Sequence, residues 1–453
     1  MTTQSANSHD ERGRASRRSF LEKSSKLIAG TALGAAMAPR VHAAGDETIK
    51  VALIGCGGRG TGAVTQALST KGPVKLWTMA DVFADKLETS LNNLTKGQES
   101  RYDRKKHQGF GGKIDVAPER RFVGFDAYKK AIDSGPDLVI LTTYPHFRPE
   151  HFEYAVKQGK HVFMEKPVAV DAAGIRRLLA ANEEAKKKNL KVGVGLQRHH
   201  HRVYEETMKR IKDGAVGDVE LMRCYWNSGW QGGCGKCPAG MTQMQFQLHN
   251  QYYFTWLSGD HIVEQHVHNI DVCHWIKGEH PVEANGMGGR QYRNGCEHGN
   301  IYDHHFVEFT YADGSKMYSQ CRHIPGCWNS VSEHVLGTKG TAEINRGIIE
   351  TTDDRWRYRG DNPNPYQVEH DVLFDAVRNN KPHNEAEYGA LSTMTGIMGR
   401  MATYSGKVIR WDEAINSQVT MAPSRYAWDA DPPAMPDENG CYPCAVPGIT
   451  KVL

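Results

Sequence analysis

The sequence predicts an α/β protein whose N-terminal half is a doubly wound parallel sheet, and three observations carry that expectation. Apolar runs bounded by turn residues alternate with helix-like segments from Ile49 to Met164. The first run leads into a glycine-rich turn, Gly55-Cys56-Gly57-Gly58-Arg59-Gly60, and the second ends on an acid, Asp81. Strands that alternate with helices need crossover connections, which place helices on both faces of a parallel sheet.

Taken in chain order, residues 1–43 read as an export signal. The pair Arg17-Arg18 precedes Phe20-Leu21, an Ala/Gly-rich apolar stretch follows from Leu27 to Ala38, and Val41-His42-Ala43 suits a signal peptidase. This resembles a twin-arginine signal, and its apolar stretch is too short to span about 30 Å of hydrocarbon. The expected location is the periplasm or another site outside the cytoplasm, with no membrane span once the signal is cleaved. The leader also holds the whole charge excess: of 56 Lys/Arg and 52 Asp/Glu, it carries seven and three, leaving 49 of each. A nearly neutral mature chain has no basic stripe for a phosphate backbone, so nucleic acid is not an expected partner. With 453 residues, 39% hydrophobic and 24% charged, the chain has length for two or three domains and is neither fibre nor disordered tail.

The run Ile49–Ile54 reads as a buried strand and the segment to Ala67 as a helix. In that context each glycine meets a distinct steric need. Gly55 permits the tight turn, Gly57 lets backbone approach a pyrophosphate, and Gly60 allows helix to lie close on strand. Gly58 and Arg59 complete a helix N-terminus that offers N–H groups and a positive dipole to phosphates. Asp81, about 20 residues on, is placed to accept the ribose hydroxyls, and an acid there repels a 2′-phosphate, favouring NAD over NADP. A Rossmann domain is therefore expected over 47–168, with strands at 137–141 and 161–164. The polar, Gly-rich stretch from Lys96 to Gly124 interrupts the rhythm and reads as a surface insertion.

At Gly159-Lys160-His161-Val162-Phe163-Met164-Glu165-Lys166-Pro167, preceded by Thr142-Thr143-Tyr144-Pro145, the chain resembles the Gfo/Idh/MocA oxidoreductases, and the resemblance runs from about Thr48 to Ser417. It implies that Thr143, Pro145, Glu165 and Lys166 join the glycines at the cofactor, with Lys166 beside the nicotinamide and the reacting hydroxyl. An ammonium there suits the chemistry, because it stabilises alkoxide character as a hydroxyl is oxidised. The resemblance further implies that residues 169–420 form an α+β domain with a large, mostly antiparallel sheet that closes the substrate cleft and serves oligomer contacts. Periodicity alone gives only α+β.

The second half holds the run Gly259-Asp260-His261-Ile262-Val263-Glu264-Gln265-His266-Val267-His268-Asn269-Ile270-Asp271. Family members resembling inositol dehydrogenase carry Asp-x-x-x-His here with an Asp three residues later. Anchoring on Asp271 assigns His268 as the catalytic base and puts Glu264 where the family has Asp. Residues i and i+4 share a helix face, so Glu264 is expected to orient His268 and raise its pKa. Arg198 and Trp230 are expected to bind substrate beside Lys166 and His268, and Trp226, Tyr252, Tyr253 and Trp256 either stack on sugar rings or pack the domain. The many histidines lack the spacing of a single metal-binding helix face, so no metal is expected. Cys234-x-x-Cys237 and Cys441-x-x-Cys444 suggest disulfides, local or mutual, ahead of free thiols or a zinc site. The Pro-rich arm, 421–453, is expected to wrap over the surface or a neighbour.

The function expected is an oxidoreductase acting on a hydroxyl of a sugar, polyol or glycoside. No diffusible NAD pool is expected outside the cytoplasm, so the NAD should stay bound and be regenerated in place, in a homodimer or homotetramer. An NAD-dependent glycoside hydrolase that oxidises its substrate transiently is the alternative. A non-catalytic exported sugar-binding protein is the reading of another class, and the presence of Lys166 with His268 argues against it.

Overall fold

The computed structural model describes residues 47–97, 108–229 and 232–453. The expected signal, 1–43, and Trp230 lie outside these residues.

The first sheet is parallel and has six strands in the order β3-β2-β1-β4-β5-β6: β1 Ile49–Ile54, β2 Val74–Asp81, β3 Arg121–Val123, β4 Leu138–Leu141, β5 His161–Met164 and β6 Val192–Val194. Its central strands β1, β4 and β5 bury almost every side chain, as strands covered on both faces must. Two boundaries differ from expectation. β3 lies inside the stretch taken for an insertion; three residues with half-exposed side chains give no periodicity to read. β6 carries the sheet past residue 168, and Glu165 and Gly195 pack together at its edge, where a Cβ on Gly195 would come within 2.6 Å of the Glu165 carboxylate.

The second sheet is mixed, with nine strands in the order β14-β13-β12-β11-β7-β10-β9-β8-β15. They are β7 Val219–Ser228, β8 Glu283–Gly289, β9 His304–Thr310, β10 Lys316–His323, β11 Ser330–Gly337, β12 Gly340–Glu343, β13 Ile348–Thr351, β14 Arg355–Arg357 and β15 Ile409–Arg410. Only β7 and β10 run parallel; the other pairs are antiparallel, as the resemblance implied. β9 and β10 alternate buried and half-exposed residues, the signature of a sheet with one covered face. The helix Ala386–Ser405 covers that face, with Met394, Ile397 and Met398 fully buried.

The helix Pro365–Arg378 returns to the first half. Pro365 starts it, Asn364 Oδ1 accepts the Tyr366 N–H at 3.1 Å, and Leu373 and Phe374 join the core around Val51 and Leu53. The C-terminal arm also wraps its own chain. Trp428 packs on Phe83 and Phe125 with ring centroids 5.5 and 4.8 Å away, and His146 Nε2 and Tyr426 Oη are 2.8 Å apart. Cys441 bonds to Cys296, a partner outside both Cys-x-x-Cys pairs, while Cys234, Cys237 and Cys444 are free thiols. Among the described residues no helix is long and apolar enough to cross a membrane.

Candidate active site

At the carboxyl end of β1 the glycine loop behaves as its spacing requires. Gly55 has φ +97°, and a Cβ there would lie 2.5 Å from the Thr143 nitrogen. A Cβ on Gly60 would collide with the Gly55 carbonyl and sit 2.6 Å from Thr142 Oγ1, so this glycine is what lets the helix Gly58–Leu68 meet the strand. Cβ atoms on Gly57 and Gly58 would meet nothing within 4 Å. Gly57 caps the helix without any side-chain bond, leaving its first-turn N–H groups facing that open space, which fits a pyrophosphate. The contrast yields a prediction. Gly60→Ala is expected to lower the melting temperature and abolish nucleotide binding, whereas Gly57→Ala keeps the melting temperature of nucleotide-free protein and weakens the nucleotide; thermal unfolding with and without NAD separates the two.

Beside the loop lies a slot of about 720 Å³ lined by Asp81, Val82, Phe125, Tyr144 and Leu248 among others. Asp81 closes β2, accepting the Cys56 N–H at 2.6 Å and the Phe83 N–H at 2.8 Å, so its carboxylate is fixed at the slot's edge. Burial raises its pKa against those two bonds. Leu248 comes from the second half, on the helix Gln243–His249, whose His249 stacks on Phe83 at 3.9 Å. Nothing in the local sequence marks Leu248 as a wall of this slot.

The slot continues into a cleft of about 1040 Å³ where the two halves meet. Gly57, Arg59, Gly60, Thr143, Pro145, Glu165, Lys166, Glu264 and His268 all line it. Lys166 Nζ donates to the Glu264 carbonyl and stands 3.4 Å from the Glu264 carboxylate. Arg148, unmarked in the sequence, is buried beneath and donates to the carbonyls of Pro167 and, at 2.6 Å, Thr143, bracing the chain on either side of Lys166. Burial pulls its pKa down to about 10, partly offset by Glu165 and Glu264. Arg59 and Glu165 pair with each other, and Glu369 stands 3.3 Å from the same guanidinium, so these two line the cleft as a fixed ion pair.

Three expectations need correction. Glu264 and His268 do not share a helix: one turn spans His261–Glu264, and a second helix starts at Val267. The break falls where His266 is drawn into the sheet, its Nε2 2.8 Å from Ser319 Oγ and 3.7 Å from Cys224 Sγ. Glu264 therefore pairs with Lys166 rather than His268. Second, the pKa of His268 is not raised but held well below 6.5, first by burial and then by Lys166, Arg198 and Arg59, so its imidazole is neutral. The ring stacks on Trp226 at 6.0 Å, and its Nδ1 has no hydrogen-bond partner. Third, Arg198 does not line the cleft. Its guanidinium is buried against Glu333 at 2.6 Å, and Glu333 also takes Tyr204 Oη at 3.1 Å and Asn269 Nδ2 at 2.5 Å. Asp271, the anchor of the motif, holds His199 and Ser392 behind the site.

Sequence reasoning missed a set of amides. Gln197, Gln251 and Gln265 line the cleft, and the Oε1 of each is buried without a hydrogen-bond partner. Three buried amide oxygens with no protein partner are free to accept O–H or N–H donors from whatever fills the cleft.

A Rossmann sheet with a dinucleotide loop, joined to a sheet domain that brings His268 to the cleft lined by a sheet-edge lysine, defines a two-domain nucleotide-dependent oxidoreductase. Residues 49–196 match the oxidoreductase family, NAD-binding Rossmann fold, and residues 204–343 match the GFO/IDH/MocA C-terminal domain; together these cover well over half of the chain, which belongs to the GFO/IDH/MocA family. NAD is thus its cofactor. Inositol 2-dehydrogenase of Ralstonia nicotianae is 24% identical over 220 residues, 49% of this chain and 57% of its own, so the chain spans little more than half the length of that relative. Inositol 2-dehydrogenase of Klebsiella pneumoniae is 36% identical over 94 residues, 20% of this chain and 26% of that one. In fold, the chain resembles scyllo-inositol dehydrogenase from Lactobacillus casei with bound NAD(H) and scyllo-inositol (TM-score 0.60, 18% identity, 81% of this chain and 99% of that one). It also resembles aldose-aldose oxidoreductase from Caulobacter crescentus complexed with glycerol (TM-score 0.61, 16% identity, 80% and 99%).

Proposed function

We propose that this protein oxidises a secondary hydroxyl of an inositol-like polyol or a sugar to a ketone, and runs the reverse reaction on a second carbonyl compound. The observation that carries the substrate class is the row of unpartnered amide oxygens of Gln197, Gln251 and Gln265 in the cleft that also holds Lys166 and His268. A polyhydroxylated ring offers donors to all three at once. When bound, NAD supplies the hydride acceptor and donor. Lys166 then exchanges its Glu264 partner for the reacting oxygen and stabilises the negative charge that develops there. His268, neutral and buried, accepts the hydroxyl proton. Trp226 and the Tyr144 side of the cleft keep water from the reacting carbon. Nothing in the comparisons favours a hydrolase or a protein that only binds.

We infer too that the nucleotide is retained between turnovers in an exported enzyme. Support comes from the arm: Tyr426 and Trp428 pack on Phe147 and Phe125, which line the nucleotide slot, and Leu248 closes it from the other domain. Trp428→Ala is expected to lose its nucleotide on gel filtration while wild-type protein keeps it, a difference read from the absorbance and mass of the bound fraction. The outer face of the second sheet, with Met287 on β8 and Leu336 on β11 exposed, is where a second copy would pack.

The test uses protein purified without added cofactor. The bound nucleotide is identified, and the absorbance of reduced nicotinamide is followed while inositols, sugars and glycosides are added. NAD that one polyol reduces and a second carbonyl compound reoxidises is the expected result. A folded protein that neither contains nor takes up NAD would sink the proposal, and net release of an aglycone would replace it with the hydrolase.

A further inference from the structure

Behind the cleft, among fully buried residues, lies a polar cluster that the reaction does not use. Asp260 has φ +70° and ψ 162°, a backbone conformation that a side chain disfavours strongly. Its carboxylate is fully buried; one oxygen accepts the His261 N–H at 2.5 Å, the other the Tyr302 N–H at 2.9 Å and Tyr404 Oη at 2.6 Å. His261 has no exposed side-chain surface, and neither ring nitrogen has a hydrogen-bond partner. His305 is held through Nδ1, 2.9 Å from Thr403 Oγ1, which turns its Nε2 inward; that atom lies 3.3 Å from the Asp260 carboxylate but makes no aligned hydrogen bond. His323, fully buried on β10, has its Nδ1 3.3 Å from Tyr252 Oη, and its Nε2 is unpartnered; its ring lies 4.4 Å from that of His261.

Imidazole nitrogens are not left buried without partners at no cost, and close approach without hydrogen-bond alignment is what ligands of a shared ion show. The ligand atoms of Asp260, His261 and His305 all lie within 4.8 Å of one another. The 3.3 Å from His305 Nε2 to Asp260 Oδ2 matches the roughly 3.4 Å edge of a tetrahedron with metal–ligand bonds of about 2.0–2.1 Å, and His261 Nε2, 3.9 Å from Oδ1, would close in by about half an ångström on binding. We propose that Asp260, His261 and His305 bind a divalent transition-metal ion, zinc by donor chemistry.

A nitrogen-rich donor set excludes calcium and magnesium, which take oxygen ligands. Spacing along the sequence concealed the site because its ligands come from a turn and a strand, not from one helix. Its role follows from its position: His261 opens the single turn that Glu264 ends, so an ion there pins the residue that faces Lys166. The ion is buried behind the cleft and acts structurally, and the proposal does not depend on the reaction assigned above.

The experiment is metal analysis of untagged wild-type protein, before and after dialysis against chelator, with cobalt(II) substitution of the metal-depleted sample. About one zinc per chain is expected, with visible cobalt bands of a tetrahedral nitrogen–oxygen site and no thiolate charge-transfer band. The ion should persist in a Cys234→Ser/Cys237→Ser variant and be lost in His261→Ala. Should His261→Ala not fold, the wild-type stoichiometry and cobalt spectrum still decide. Protein grown with zinc that holds no stoichiometric metal, or metal that leaves with the cysteines or shows thiolate charge transfer, overturns the proposal.

Discussion

Lys166→Ala is expected to lower kcat by about 10²–10³-fold, the usual cost of removing one donor to a developing oxyanion, while the protein keeps its bound NAD. The separation of the two effects follows from geometry. Lys166 Nζ reaches across to Glu264 on the second domain, whereas the loop Gly55–Gly60 and Asp81, which would hold the nucleotide, lie on the first. Loss of the ammonium therefore removes charge from the reacting oxygen without dismantling the phosphate site. A structural role would look different. If Lys166 served only to pair with Glu264, then Glu264→Gln would reproduce the loss, and the double variant would be no worse than either alone. An oxyanion role predicts that Glu264→Gln is milder than Lys166→Ala. Single-turnover reduction of the bound nucleotide measures kcat for the chemical step, and nucleotide content after desalting reports the binding.

How much of this site was legible depends on how locally each part is encoded. The glycine loop and the Glu-Lys-Pro run are contiguous, and each residue answers to a constraint within a few residues, so Gly55, Gly60, Asp81 and Lys166 could be assigned a place from the amino-acid order alone. Glu264 and His268 both line the cleft, but not as neighbours on one helix, because a tertiary contact of His266 with Ser319 and Cys224 breaks the helix between them. Arg198 carries the same charge whether it faces a ligand or Glu333, and only the buried carboxylate on β11 decides between them. The amides of Gln197, Gln251 and Gln265 converge from separate segments with no shared spacing. The nine-stranded order, in which β7 lies between β10 and β11, is likewise a matter of pairing across more than 90 residues, and alternation along a strand says nothing of its neighbours.

The pH dependence of His268 offers the other large effect, and its sign is opposite to that expected from a carboxylate neighbour. Burial and the cations Lys166, Arg198 and Arg59 hold the folded-state pKa well below 6.5. The imidazole thus remains a competent base as pH falls through 6.5, and the acid limb of kcat/KM should lie clearly below that value. An acid limb at or above 6.5 would mean that Glu264 does raise the imidazole after all. The same shift has a cost in stability. The unfolded chain takes up the proton first as pH drops below 6.5, so the contribution of His268 is present above that pH and drains away beneath it, by about 1.4 kcal/mol per pH unit until the folded-state value is reached. His268→Gln removes both behaviours. Its kcat should fall by about 10²–10⁴-fold and rise with pH as hydroxide takes over the proton, and its loss of stability in acid should be shallower than that of the wild type. Denaturant unfolding from pH 8 to 5 and a kcat/KM profile over the same range measure the two independently, so a base that is also a buried neutral imidazole must show both.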